Sequence, residues 1–116
     1  FNEFIRLRDF GKNCITCDTK LTGKFDAGHY YPSTHKNTTF SELNVWGQCV
    51  GCNQHKSGNL IQYQINLNKI IGGEEMFKLH ADAHVVKKWT RDELQEIEKR
   101  YKEKIKQLKN ERNRND

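Results

Sequence analysis

Apolar residues are scarce in this chain: they make up 34% of its 116 residues, while 30% are charged. No apolar run approaches the roughly 20 residues a membrane-spanning helix requires. The chain also begins without the charged-then-apolar segment of a secretory signal. These absences predict a soluble, cytoplasmic protein with no membrane partner and a modest core. Small domains with thin cores often gain stability from a metal, because binding free energy becomes folding free energy. Charge of one sign is barely in excess over residues 1 to 86, with 9 basic and 8 acidic side chains. Residues 87 to 116 hold 11 basic and 7 acidic ones and so carry most of the net charge of +5. Such a block favours a polyanionic partner, nucleic acid ahead of a membrane surface, or else is a solvated charged helix.

What is present is two Cys-x-x-Cys pairs, Cys14-Ile15-Thr16-Cys17 and Cys49-Val50-Gly51-Cys52, separated by 31 residues. Each pair makes a tight turn that can present two thiolates about 2.3 Å from one ion, so the four predict a tetrahedral structural zinc site. Two disulfide bridges in a secreted domain are the alternative, and the missing signal segment speaks against it.

Residues 1 to 10 read as a short amphipathic helix with Phe4, Ile5 and Leu7 on its apolar side, stopped by Gly11. Arg6 and Arg8 are either solvated or in reach of phosphate. Phe25 to Tyr30 reads as a strand containing Gly28, a residue that marks a bulge or a close approach, here next to His29. A long polar connection, residues 31 to 44, leads to a return strand Val45-Trp46-Gly47-Gln48. A helix is expected from Asn53, with a break at Ser57-Gly58-Asn59. Leu60, Tyr63, Leu67, Ile70 and Ile71 then share one face, read as core, until Gly72-Gly73; a short helix over about 74 to 82 follows. Thr90-Arg91-Asp92-Glu93 is a capping box. It predicts a long helix in which Leu94, Ile97, Tyr101, Ile105 and Leu108 form an apolar stripe beside Lys99, Lys102, Lys106 and Lys109. Residues 110 to 116 are expected to fray.

Strand, strand, helix, with a histidine on the first strand and an amide at the helix start, is the layout of the ββα-metal, or HNH, nucleases. The runs Asp26-Ala27-Gly28-His29-Tyr30, Glu42-Leu43-Asn44, Gln48-Cys49-Val50-Gly51-Cys52-Asn53 and Ser57-Gly58-Asn59-Leu60-Ile61-Gln62-Tyr63 resemble the phage lambda NinG family of recombination nucleases, also called Rap. Phe4-Ile5-Arg6-Leu7-Arg8-Asp9 and the first cysteine pair look like that family too, so the resemblance covers roughly residues 1 to 75. It implies an α+β fold: a small zinc-stabilised HNH core over residues 1–86 with flanking helices, and a basic C-terminal helix over 87–116. It further implies a DNA endonuclease acting on branched double-stranded recombination intermediates such as Holliday junctions and D-loops, in the host cytoplasm, with a recombinase as a partner.

By that resemblance His29 is the general base, and an imidazole suits the task because its ordinary pKa near 6.5 leaves it mostly neutral at pH 7. Asn53 binds Mg²⁺, for which Mn²⁺ may substitute, and Asn44 ties down the long loop and so orients the base. Asp26 is a ligand of that ion or a group behind it, because Gly28 stands where related nucleases place an acidic ligand. The Asp-x-Gly-His arrangement looks instead like the Serratia-type nucleases. His55 and Lys56 are expected to meet DNA together with Lys99, Lys102, Lys106 and Lys109, and His35 in the loop is in reach of the leaving group, or else His35 and His55 are ordinary exposed histidines. His80 and His84 receive no role. A two-fold junction calls for a homodimer, and the apolar stripe on the last helix is either its interface or a face docked on the chain's own core. A non-catalytic zinc-ribbon module that binds nucleic acid is the alternative function.

Overall fold

The computed structural model describes residues 1–114. Its elements are α1 (Asn2–Asp9), β1 (Asp26–His29), β2 (Val45–Gln48), α2 (Leu60–Ala83) and α3 (Arg91–Arg114). It is an α+β chain in which helices surround a two-stranded antiparallel sheet, with Asp26 opposite Gln48 and His29 opposite Val45.

The interior is two small clusters, as the low apolar content requires. One comprises Cys14, Leu21, Phe25 and Cys52 with Cys17 and Cys49 against it, so the cysteines are core residues. The other comprises Ile15, Tyr63, Leu67 and Leu79, flanked by Tyr30, Tyr31, Trp46, Ile71 and Met76. The first cysteine turn is joined to the sheet by the Ile15 amide, which donates to the Gly47 carbonyl at 3.0 Å. Asp9, buried at the end of α1, accepts the Gly47 amide at 2.7 Å and a two-pronged contact from Arg8. Arg8 also donates to the Glu42 and Val45 carbonyls and lies over the Trp46 ring. Its guanidinium is therefore engaged by the protein itself, half-buried between Asp9, the loop carbonyls and Trp46.

The close approach expected at Gly28 is made by a side chain of the same protein. A Cβ on Gly28 would lie 2.1 Å from Gln48 Oε1, so only glycine leaves room for the buried Gln48 amide. That amide donates to the Thr16 hydroxyl and the Gly58 carbonyl, joining the first cysteine turn to the loop before α2.

The chain after Cys49 departs from the expected regular helix. Gly51–His55 is one wide turn of π type, and Ser57, Gly58 and Asn59 follow with φ of 50°, 83° and 49°. Such wide turns are uncommon and are concentrated at functional sites. α2 begins only at Leu60, and Gly72 (φ 84°, ψ 163°) kinks it where the sequence places the end of one helix and the start of the next. Tyr63 and Leu67 are fully buried on its inner face, but Leu60, at the first position of the helix, and Ile70 are 47% and 55% exposed rather than core.

The capping box forms as predicted: the Thr90 hydroxyl accepts the Glu93 amide, and Glu93 accepts the Thr90 amide. α3 then packs along α1. Tyr101 sits against Phe1 and Phe4 with ring centroids 4.8 and 5.3 Å away. Its hydroxyl donates to Glu42 at 2.8 Å, and Lys104 reaches the same carboxylate oxygen at 2.6 Å. The apolar stripe docks on the chain's own body through Ile97 and Tyr101, which are buried, while Leu94 stays 42% exposed. The helix continues through Arg114, past the point where fraying is expected; residues 115 and 116 lie outside the described residues.

Candidate metal centre and catalytic groove

The four cysteine sulfurs all lie within 4.8 Å of one another and none is in a disulfide. Cys17 Sγ and Cys49 Sγ are 3.7 Å apart, which matches the edge of about 3.8 Å expected for sulfurs 2.3 Å from a tetrahedral centre. Donors converge on the cluster as they do around thiolates: the Cys49 amide points at Cys14 Sγ (3.3 Å), and the Cys52 amide at Cys49 Sγ (3.5 Å). Burial, with the other cysteines alongside, pushes the Cys49 thiol up to about 12. A divalent cation reverses that balance, because thiolates are its ligands. The all-sulfur tetrahedron fits a structural zinc ion.

A second region lies on the sheet. An open groove of about 510 Å³ is lined by Ala27, His29, Tyr30, Asn53, Ser57 and Leu60, among others. His29 enters it from the end of β1, and its Nε2 is 3.0 Å from the Thr39 carbonyl. A carbonyl only accepts, so Nε2 carries a proton, and in the neutral ring Nδ1 is the nitrogen with the lone pair.

The Thr39 carbonyl is held by the polar connection, and that connection is held by Asn44. Fully buried at the start of β2, Asn44 accepts the Tyr31 amide at 2.8 Å and donates to the Tyr31 and Thr38 carbonyls at 3.0 and 3.2 Å. Its own carbonyl accepts the Tyr30 amide. The loop is thus closed at both ends by one residue, and the peptide next to Thr38 presents its oxygen to His29.

Asn53 reaches the groove from the wide turn that the second cysteine pair starts. Its Nδ2 donates to Asp26 Oδ2 at 3.0 Å, and Gln54 donates to the same oxygen at 2.9 Å. The carboxylate therefore fixes which way the Asn53 amide faces and leaves Asn53 Oδ1 without a protein partner among the described residues. A hard oxygen donor of this kind, with a carboxylate behind it, suits Mg²⁺, which keeps most of its waters. His29 and Asn53 thus line one groove, while Asp26, at the other end of β1 from His29, is joined to it through the Asn53 amide.

Other predicted residues are placed elsewhere. His55 and Lys56 are exposed at the end of the wide turn, just before Ser57 of the groove wall. Lys99, Lys102 and Lys106 share the outer face of α3 with Glu98 and Glu103, Lys102 pairing with Glu98 at 3.1 Å. Lys109 departs from that stripe and faces a recess beside α1 with Arg6 and Arg112. His35 does not approach the groove: its Nδ1 is 3.0 Å from the Ala83 carbonyl at the end of α2. Thr39 and Gln54 are the residues missed from sequence. Thr39 acts through its backbone, which carries no side-chain signal, while Gln54 adjoins Asn53 and had a polar side chain to notice.

A family model described as "Bacteriophage Lambda NinG protein" matches residues 1–111, which extends the likeness through α3 and beyond the motifs of residues 1 to 75. Protein ninG of Escherichia phage 933W is 41% identical over 112 residues, covering 96% of this chain and 55% of that protein. The phage lambda protein of the same name is likewise 41% identical, with 54% of its length covered, and that of Salmonella phage P22 is 40% identical, with 55% covered. The chain therefore spans about half the length of the curated relatives it matches. No solved structure matches it.

Proposed function

The chain belongs to the NinG family of lambda-like phages, and on that premise we propose that it is the nuclease part of a recombination protein, an HNH-type, Mg²⁺-dependent endonuclease that cuts branched DNA. The observation that carries this reading is the juxtaposition of His29, with Nδ1 free, and Asn53, with Oδ1 free, in one groove beside the cysteine cluster.

His29 serves as general base: with Nε2–H held by the Thr39 carbonyl, Nδ1 takes the proton of the attacking water. Asn44 keeps that carbonyl in place and is a positioning residue. Asn53 offers Oδ1 to the cation, and Asp26 prevents the amide from turning its NH₂ there instead. When bound, Mg²⁺ would neutralise charge developing on the phosphate and the departing oxygen. His55 and Lys56 flank the groove as phosphate contacts. The zinc ion would hold the turn that carries Asn53, so the two metals divide structure from chemistry. A two-fold junction cut symmetrically calls for two copies of the chain, and a recombinase partner fits the same setting.

Asn53→Ala tests this division. It is expected to abolish Mg²⁺-dependent cleavage while zinc content and the circular dichroism spectrum stay as in the parent. Cleavage at the parental rate in that variant would remove Asn53 from the mechanism.

A further inference from the structure

Three of the five histidines, remote in sequence, meet where the polar connection touches the end of α2. The His80 and His84 rings are 4.4 Å apart, His80 in the last turn of α2 and His84 at its C-cap, and His35 stands 5.5 Å from His84. Tyr31 completes the group, its hydroxyl 2.7 Å from His80 Nδ1.

In each ring Nδ1 is the nitrogen already engaged. His35 Nδ1 donates to the Ala83 carbonyl at 3.0 Å and His84 Nδ1 to the His80 carbonyl at 2.8 Å. Since carbonyls only accept, both rings in their neutral form keep the lone pair on Nε2. His80 can adopt the same form by donating Nδ1–H to the Tyr31 oxygen. A ring that gives its other N–H to a carbonyl or hydroxyl is the usual arrangement of a metal-ligating histidine, because the hydrogen bond fixes the tautomer and raises the basicity of the free nitrogen.

We propose that His80 and His84 form a second metal site, a two-armed Nε2 chelate for a borderline transition-metal cation such as Zn²⁺, Ni²⁺ or Cu²⁺. Imidazole nitrogens prefer these ions to Mg²⁺, so the site is chemically distinct from the Asn53 position. It is a chelate of two, not a preformed cage: among the described residues only the four cysteines bring three or more cysteine, histidine or carboxylate ligand atoms within 4.8 Å. Water fills the other positions and His35 forms a wall. Binding polarises the His80 Nδ1–H and strengthens its bond to Tyr31, whose backbone is held by Asn44. The cation thereby pins the polar connection to α2. None of this depends on the nuclease reading.

The test uses untagged, zinc-loaded protein titrated with Ni²⁺, followed by calorimetry and by paramagnetic broadening of the ¹⁵N-labelled imidazole signals. One equivalent is expected to bind in the micromolar range and to broaden His80 and His84 first. His84→Gln and His80→Gln should each weaken binding on the order of 100-fold, the loss of one arm of a chelate. Both positions are exposed, and an unchanged melting temperature without added metal checks that the variants fold. Binding that survives both substitutions, that saturates only at millimolar Ni²⁺, or that broadens His29 or His55 first would overturn the proposal.

Discussion

The carbonyl of Thr39 decides which nitrogen of His29 is free, and the chemistry proposed for the groove starts from that bond. Replacing His29 with alanine is expected to slow cleavage by about 100 to 10,000-fold, the usual contribution of a positioned base, with zinc content and melting temperature unchanged. Asn44→Ala should behave differently, since it strands a buried amide and two carbonyls. A loss of about 2–3 kcal/mol in urea unfolding is expected, together with slower cleavage because the His29 partner loosens. Asp9 supplies a pH signature. Burial opposes its charge, but the contacts from Arg8 and the Gly47 amide prevail and hold its carboxyl below the usual range. A lowered folded value means that its contribution to stability is present above the unfolded value of about 3.9. It is lost as pH falls through the folded one. Melting temperatures of parent and Asp9→Asn should therefore differ most above pH 4 and converge in stronger acid. At this scale the sequence indicated the side chains of His29, Asn44 and Asn53, because their spacing follows a motif. It gave no sign of Thr39 or of the Arg8–Asp9 pair, which depend on how distant backbone atoms meet.

Elements were legible where their signals are local. The capping box at Thr90, the interruption at Gly72 and the return strand Val45–Gln48 all stand where short-range chemistry places them. The break at Ser57-Gly58-Asn59 was legible too, but the wide turn at Gly51–His55 before it was not, because its geometry comes from seating two cysteines in a cluster with a distant pair. The placement of α3 was open as well, and Glu42 settles it by binding Tyr101 and Lys104 while its carbonyl accepts Arg8. Since α3 covers α1, deleting it would confuse folding with DNA contact. Changing Lys99, Lys102 and Lys106 together to glutamine avoids this. If all three meet phosphate, the slope of log affinity against log salt should flatten by about 2.7, at about 0.9 per contact. An unchanged slope would mean that this face of α3 is solvated only.

For the molecule as a whole, the cysteine cluster is at once a candidate metal centre and one of the two core clusters. Its sulfurs pack with Leu21 and Phe25, and the turn it starts carries Asn53. Stripping zinc with a strong chelator should therefore unfold the chain cooperatively by circular dichroism, with recovery on adding the metal back. The sequence made the cluster visible, because two Cys-x-x-Cys pairs and few apolar residues can be read directly from it. Which surfaces meet was not visible, and the histidine cluster is the clearest case: Tyr31, His35, His80 and His84 share no motif and are joined only by folding. The central claim is that the His29–Asn53 groove cuts branched DNA. Its most direct test is cleavage of a labelled four-way junction and a matching linear duplex by the parent and His29→Ala, with Mg²⁺ supplied or withheld rather than chelated so that zinc stays in place. Cutting of the junction, in preference to the duplex, is expected to require both Mg²⁺ and His29. Binding of the junction without cutting, across several divalent ions, would contradict it and leave a zinc-stabilised nucleic-acid-binding module.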